Sequence, residues 1–190
     1  GYSRLAGGGC RVLRGTRLLM SDLEVIEALP SQAHIIQNLM QLYVHDFSEQ
    51  WSDMERGELG ADGLFPEYPN LESYWRKNSY IPLLIKRGGH LAGFALINDH
   101  SHSGLPVDRN MAEFFIVRKH RRGGVGTAVA HTIFSRYPGQ WEAAVARRNV
   151  GALGFWRNAI RQHSSARDVE ENDVETAEWN GPILRFRIAH

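Results

Sequence analysis

Cysteine is almost missing from this sequence: Cys10 stands alone in 190 residues. A single cysteine excludes an intramolecular disulfide and any zinc cluster built on cysteines, so a reducing, cytoplasmic setting is the default. No apolar stretch approaches the roughly 20 residues needed to cross a bilayer, and no membrane partner is expected. Net charge is close to absent as well. A formal +1 at pH 7 supplies no overall field to hold the chain on nucleic acid, so any anion site must be local. The remaining composition, 43% hydrophobic and 23% charged, is that of a globular chain long enough for one domain with a sizeable core.

Residues 1–19, GYSRLAGGGCRVLRGTRLL, contain no acid and show no clear period. They lack the apolar core and cleavage site of a secretory signal, and their glycines suit an amphipathic transit helix poorly. They read as a leader, vector-derived, mis-started or disordered, with a natural extension as the alternative, ahead of a single domain at residues 20–190. In that domain residues 23–29 alternate as a strand stopped by Pro30, and Ser31 can cap the following helix. Ile35, Ile36, Leu39, Leu42, Tyr43 and Phe47 recur there at three- and four-residue steps. A long loop at 52–69 precedes a short amphipathic helix at 71–78. IPLLIKR, Gly88 and Gly89, and HLAGFALIND make a hairpin. A strand at 110–117, a helix at 124–136 and the strand QWEAAV follow, and Asn149 caps the helix VGALGFWRNAI. RDVEE and ILRFRIA are the last strands. This order, β-α-α-β-β-β-α-β-α-β-β, predicts an α/β fold of the mixed α+β kind, with helices on the faces of one sheet.

The hexapeptide RRGGVG, residues 121–126, raises the functional question. Glycine near a helix start costs about 1 kcal/mol against alanine, so close approach to the backbone must matter there. Strand, glycine turn and helix together present free N–H groups and a positive dipole end to a phosphate. A Walker loop would need a lysine after the glycines, and a Rossmann loop a G-x-G-x-x-G order. Neither is present. The basic run RKHRR alone would be a solvated face or a nucleic-acid patch, and near-neutral charge argues against the latter.

Residues 121–126 do match R/Q-x-x-G-x-G, which resembles the acyl-CoA loop of the GNAT N-acetyltransferase superfamily. AEFFIVRKHRRGGVG is similar to that family's fourth strand and phosphate loop. NVGALGFWRNAI resembles its helix after the fifth strand. These motifs cover residues 111–160, the order of elements extends the likeness to the C-terminus, and the segment is also similar to a bacterial branch. The resemblance implies the acyl-CoA N-acyltransferase fold: a mixed, mostly antiparallel sheet of about seven strands flanked by about four helices. It implies acetyl-CoA as cofactor, no metal, and acetyl transfer to a primary amine by direct attack in a ternary complex. The amine can be a small molecule or a protein, and a homodimer is compatible with the family.

By the same resemblance, Arg121, Arg122, Gly123, Gly124, Val125, Gly126 and Thr127 surround the pyrophosphate. Backbone groups of Phe115, Ile116 and Val117 pair with the pantetheine arm, and one N–H polarises the thioester carbonyl. Asn149, Phe155 and Trp156 contact the arm, although Asn149 also reads simply as a helix cap. Glu113 interrupts an apolar strand where some members place a catalytic glutamate. It is the candidate base, directly or through water, for an amine of pKa near 10; a strand acid that merely faces solvent is the alternative. Trp156 stands where the family often has a tyrosine that protonates the departing sulfur, and an indole cannot do that. This departure motivates a second reading, a non-catalytic acyl-CoA-binding module. For the acceptor, Tyr43, Asp46 and Glu49 are the candidates. With Asp53, Glu55, Glu58 and Asp62 they form either a cation-binding wall or a solvated acidic loop. His100 and His102 read as loop, two histidines being too few for a metal.

Overall fold

The unbroken apolar runs of β2 (Ile81–Arg87) and β3 (His90–Asn98) require cover on both faces of the sheet. The computed structural model, which describes residues 22–51 and 57–190, supplies it. Leu83, Ile85, Ala95 and Ile97 join one core with Val129, Ile133, Phe134 and Ile160. Their alternating neighbours Leu84, Phe94 and Leu96 join a second core with Ile36, Leu39 and Met40. The first core belongs to the helices α2 (Val125–Arg136) and α3 (Val150–Gln162), the second to α1 (Ala33–Ser48). Residues 1–19, Asp53 and Glu55 lie outside the described residues.

The strands β1 (Leu23–Glu27), β4 (Arg109–Ile116), β5 (Gly139–Ala144), β6 (Ala166–Glu175) and β7 (Asn180–Ile188) complete a seven-stranded sheet of order β1-β2-β3-β4-β5-β7-β6. All neighbours are antiparallel except β4 and β5. That parallel pair is in register at only two positions, Arg109 with Trp141 and Asn110 with Glu142. Beyond them the strands part, and the gap positions the site. Among the described residues no helix is long and apolar enough to cross a membrane.

Two local expectations need correction. Residues 71–78 do not form an α-helix: Leu71–Trp75 is one 3-10 stretch. The segment is too short to offset the cost of nucleating an α-helix, and three-residue periodicity buries Leu71 and Tyr74 on one face. The sheet is therefore flanked by three α-helices among the described residues. Ser31 does not cap α1. It sits inside a 3-10 turn, Pro30–Gln32, where the Leu29 N–H donates to Gln32 Oε1 at 2.9 Å. Asn149 does cap α3, accepting from the Ala152 N–H at 3.1 Å.

Candidate active site

The turn between β4 and α2 holds three consecutive left-handed residues: Arg122 (φ 73°), Gly123 (φ 66°) and Gly124 (φ 81°). Two of the three are glycines because a side chain is strained there. The turn reverses the chain into α2, whose first intrahelical bond here runs from the Ala128 N–H to the Gly124 carbonyl at 3.0 Å. The N–H groups of Val125, Gly126 and Thr127 precede it and have no intrahelical acceptor. Gly126 also lets a neighbour close in, since a Cβ there would meet the Phe155 ring at 3.0 Å.

Gly124, Val125, Gly126 and Thr127 line a cavity of about 510 Å³. Phe114, Phe115 and Ile116 of β4, Arg121 and Arg122 of the turn, and Asn149, Phe155 and Trp156 of α3 also line it, together with Tyr43 and Asp46 of α1. Thus the structure brings together most of the residues marked in the sequence. Gly123 and Val117 are not on the wall.

The backbone of β4 refines the expectation for its last residues. The Val117 N–H donates to the Ala92 carbonyl on β3 at 2.8 Å. Hydrogen-bonded pairs alternate along an antiparallel ladder, so Phe115 also turns its N–H and C=O to β3. Phe114 and Ile116 turn theirs toward the gap. Of Phe115, Ile116 and Val117, only Ile116 offers backbone groups there, and its carbonyl accepts from Arg121 Nε at 2.6 Å.

Asp46 takes a place different from the acceptor wall expected for it. Its carboxylate is ion-paired with Arg121 and, at 2.8 Å, with Arg118. Burial would raise its pKa, but hydrogen bonds from Arg121 and Arg118 outweigh that and hold it below the ordinary aspartate value. Glu49 is exposed and lines neither cavity described here.

A second cavity, of about 420 Å³, lies along the other side of the gap. It shares the walls formed by Tyr43, Phe47, Phe114, Asn149, Ala152 and Trp156 with the first, so the two are continuous. Glu113 lines it, half-buried rather than facing open solvent. The Tyr68 phenol lies beside Glu113 and Tyr74 and interacts with both, and the Tyr74 oxygen accepts from Asn98 Nδ2 at 3.3 Å. Burial, then the nearby Glu113 charge, push the Tyr68 pKa far above the ordinary tyrosine value, so its proton stays in place. Trp156 is buried, with its ring 5.0 Å from Phe114 and 4.8 Å from Phe155.

The loop carrying His100 and His102 also reaches the second cavity. Glu142, fully buried at the centre of β5, anchors it by accepting from the His102 N–H at 2.9 Å and from the Ser103 hydroxyl. Arg185, opposite Glu142 on β7, pairs with the same carboxylate and donates to the Pro106 carbonyl at 3.0 Å. Tyr68, His102, Trp179 and the Glu142–Arg185 pair are missing from the candidates read in the sequence.

The model of the acetyltransferase (GNAT) family matches residues 36–159. No curated protein sequence matches the chain. Among solved structures, an acetyltransferase from Thermus thermophilus is 14% identical, with a TM-score of 0.59 over 90% of this chain and 99% of that one. The yncA protein of Salmonella typhimurium, solved with its cofactor acetyl-CoA, is 14% identical, with a TM-score of 0.50 over 87% and 92%. Spermidine N-acetyltransferase from Vibrio cholerae, in complex with CoA and spermine, is 12% identical, with a TM-score of 0.51 over 87% and 94%. At such identities the likeness is one of fold.

Proposed function

Because the chain belongs to the acetyltransferase (GNAT) family, with acetyl-CoA as its cofactor, we propose that it acetylates a small primary amine by direct attack in a ternary complex. The observation that carries this reading is the pair of continuous cavities where β4 leaves β5. One is bounded by unpaired helix N–H groups and arginines, and the other by Glu113. The amine bound by the Vibrio cholerae neighbour, spermine, supports a small-molecule acceptor.

The residues present fit the cofactor. The N–H groups of Val125, Gly126 and Thr127 and the Arg122 guanidinium would hold its phosphates, with Arg121, already paired with Asp46 and the Ile116 carbonyl, bordering them. The inward backbone groups of Phe114 and Ile116 would hold its arm as an added strand, with Asn149, Phe155 and Trp156 packed beside it. Bound there, acetyl-CoA supplies an activated acetyl thioester. Glu113 takes the proton that an ammonium must lose before its nitrogen can attack. Tyr68, permanently protonated, donates a hydrogen bond that fixes this carboxylate. Trp156 can donate a hydrogen bond but no proton, so this position provides no general acid.

Acetyl-CoA at a hundred times its Kd should add about 2.7 kcal/mol of stability. That raises Tm on the order of 5–10 °C for a chain of this size, while ATP and NAD should do little. Gly124→Asp should abolish the shift. A Cβ meets no atom within 4 Å there, but the left-handed φ is strained for any side chain and the carboxylate would oppose the phosphates. A wild-type chain whose melting ignores saturating acetyl-CoA would refute the proposal.

A further inference from the structure

The walls of the second cavity bear on which amine enters it. Among its described lining residues Glu113 is the only carboxylate. The other described acids expected to make a cationic wall lie elsewhere. Asp46 is committed to Arg118 and Arg121, and Glu49, Glu58 and Asp62 are exposed and absent from the wall.

Aromatic rings take their place. Phe47 and Trp51 stack at 5.8 Å on the α1 side. His102 and Trp179 lie 4.6 Å apart on the side of the 98–102 loop and the β6–β7 turn. Burial, with His100 nearby, lowers the pKa of His102 and keeps its ring uncharged at neutral pH. The wall is also pre-set, because Glu142 holds the His102 backbone from beneath. Two buried polar atoms of lining residues, Trp179 Nε1 and Asn110 Oδ1, have no hydrogen-bond partner among the described residues. A buried donor or acceptor in that state fits a site that a ligand completes.

This lining sorts amines by their second charge. A diamine or polyamine carries another ammonium, which would lose its hydration with no second carboxylate among the described lining residues to receive it. The aromatic faces return part of that loss. An aromatic body instead buries apolar area against these rings and brings no further charge.

Resting on the transfer proposed above, we infer that the acceptor is an arylalkyl monoamine, its nitrogen at Glu113 and its ring against Phe47, Trp51, His102 and Trp179. The test measures CoA release by the full chain with acetyl-CoA and, in turn, phenethylamine, tryptamine, putrescine and spermidine. The aromatic amines should show kcat/KM at least about tenfold above the polyamines. Trp179→Ala should raise KM for tryptamine about tenfold and leave kcat nearly unchanged, while Trp179→Phe keeps most of the affinity. Equal or better use of spermidine, or a Trp179→Ala enzyme with unaltered KM for tryptamine, would overturn the inference. If acetyl-CoA binds but no amine is acetylated, the transfer reading fails separately. Calorimetry on the CoA-loaded chain then decides the cavity's class: tryptamine binding tighter than spermidine upholds it, and the reverse, or no binding, overturns it.

Discussion

Replacing Glu142 with alanine would remove the anchor of one wall of the proposed acceptor cavity without touching either partner of the proposed chemistry. Glu142 has no exposed surface, and Arg185 is 8% exposed. The substitution strands the guanidinium and takes an acceptor from the His102 N–H, the Ser103 hydroxyl and the Ser101 hydroxyl. Deleting one partner of a buried pair costs about 3–5 kcal/mol. Arg185 retains bonds to the Pro106 carbonyl and the Ser103 hydroxyl, each at 3.0 Å, which favours the lower end. A loss of about 3 kcal/mol lowers Tm on the order of 6–12 °C in a chain of this length. Urea unfolding followed by circular dichroism should show a lower midpoint at an unchanged slope.

The double variant Glu142→Leu/Arg185→Met should regain most of the loss, since no charge is then left buried alone. In Glu142→Ala the amine KM should rise as His102 loosens, while acetyl-CoA binding holds. The pH dependence has a definite sign. Burial pulls the Glu142 pKa up, but bonds from Ser103, the His102 N–H and Arg185 outweigh it and leave it below the ordinary value. Its contribution is therefore present above the unfolded pKa, about 4.3, and disappears as pH falls through the lower folded value. The alanine variant should lack that acid-limb loss. A cost under about 1 kcal/mol, or a double variant no more stable than the single, would refute this account of the pair.

Glu113→Gln keeps the shape of the carboxyl group and should preserve acetyl-CoA binding while slowing transfer about 10²–10⁴-fold. The deficit should shrink at high pH, where more amine is already neutral, and an unchanged rate would exclude Glu113 as the base. Trp156→Phe should change cofactor affinity modestly and leave the pH profile of turnover in place. Trp156→Tyr restores a phenol, yet little change in kcat is expected, because a thiol of pKa near 8.5 leaves readily as thiolate. A tenfold gain, about 1.4 kcal/mol off the barrier, would show that proton delivery limits the native reaction.

What could be read from the sequence follows the range of the interactions concerned. The β2–β3 hairpin, the turn before α2 and the Asn149 cap are written in residues a few positions apart, and each stands where its pattern places it. The site residues that went unread depend on distant partners. Tyr68 lies in a Gly- and Pro-rich loop without period, and only the folded chain brings it to Glu113 on β4. Glu142 and Arg185 did carry a signal: opposite charges in the middle of two otherwise apolar strands, QWEAAV and ILRFRIA. Their meaning required knowing that β5 and β7 pair in that register. Asp46 shows the converse. A carboxylate counted toward a cationic substrate is neutralised by the chain's own arginines, and no local pattern distinguishes the two uses.

The two-residue contact between β4 and β5 has a consequence for how the sheet avoids sticking to other chains. A seven-stranded sheet ordinarily has two edges, and here the gap opens two more inside it. The outer strand β6 carries Asp168, Glu170, Glu171, Asp173 and Glu175, charges that repel an incoming strand. The inner margin of β4 has no such row of charges: Phe114 and Ile116 turn backbone groups to it beside apolar side chains, with the Ile116 carbonyl met by Arg121 Nε. Its protection is a roof instead: Tyr43 and Phe47 from α1 and Phe155 and Trp156 from α3 border the cavity into which that margin opens. The interior edge is thus shielded by bulk rather than by charge, and an approaching strand must enter through the mouth of that cavity.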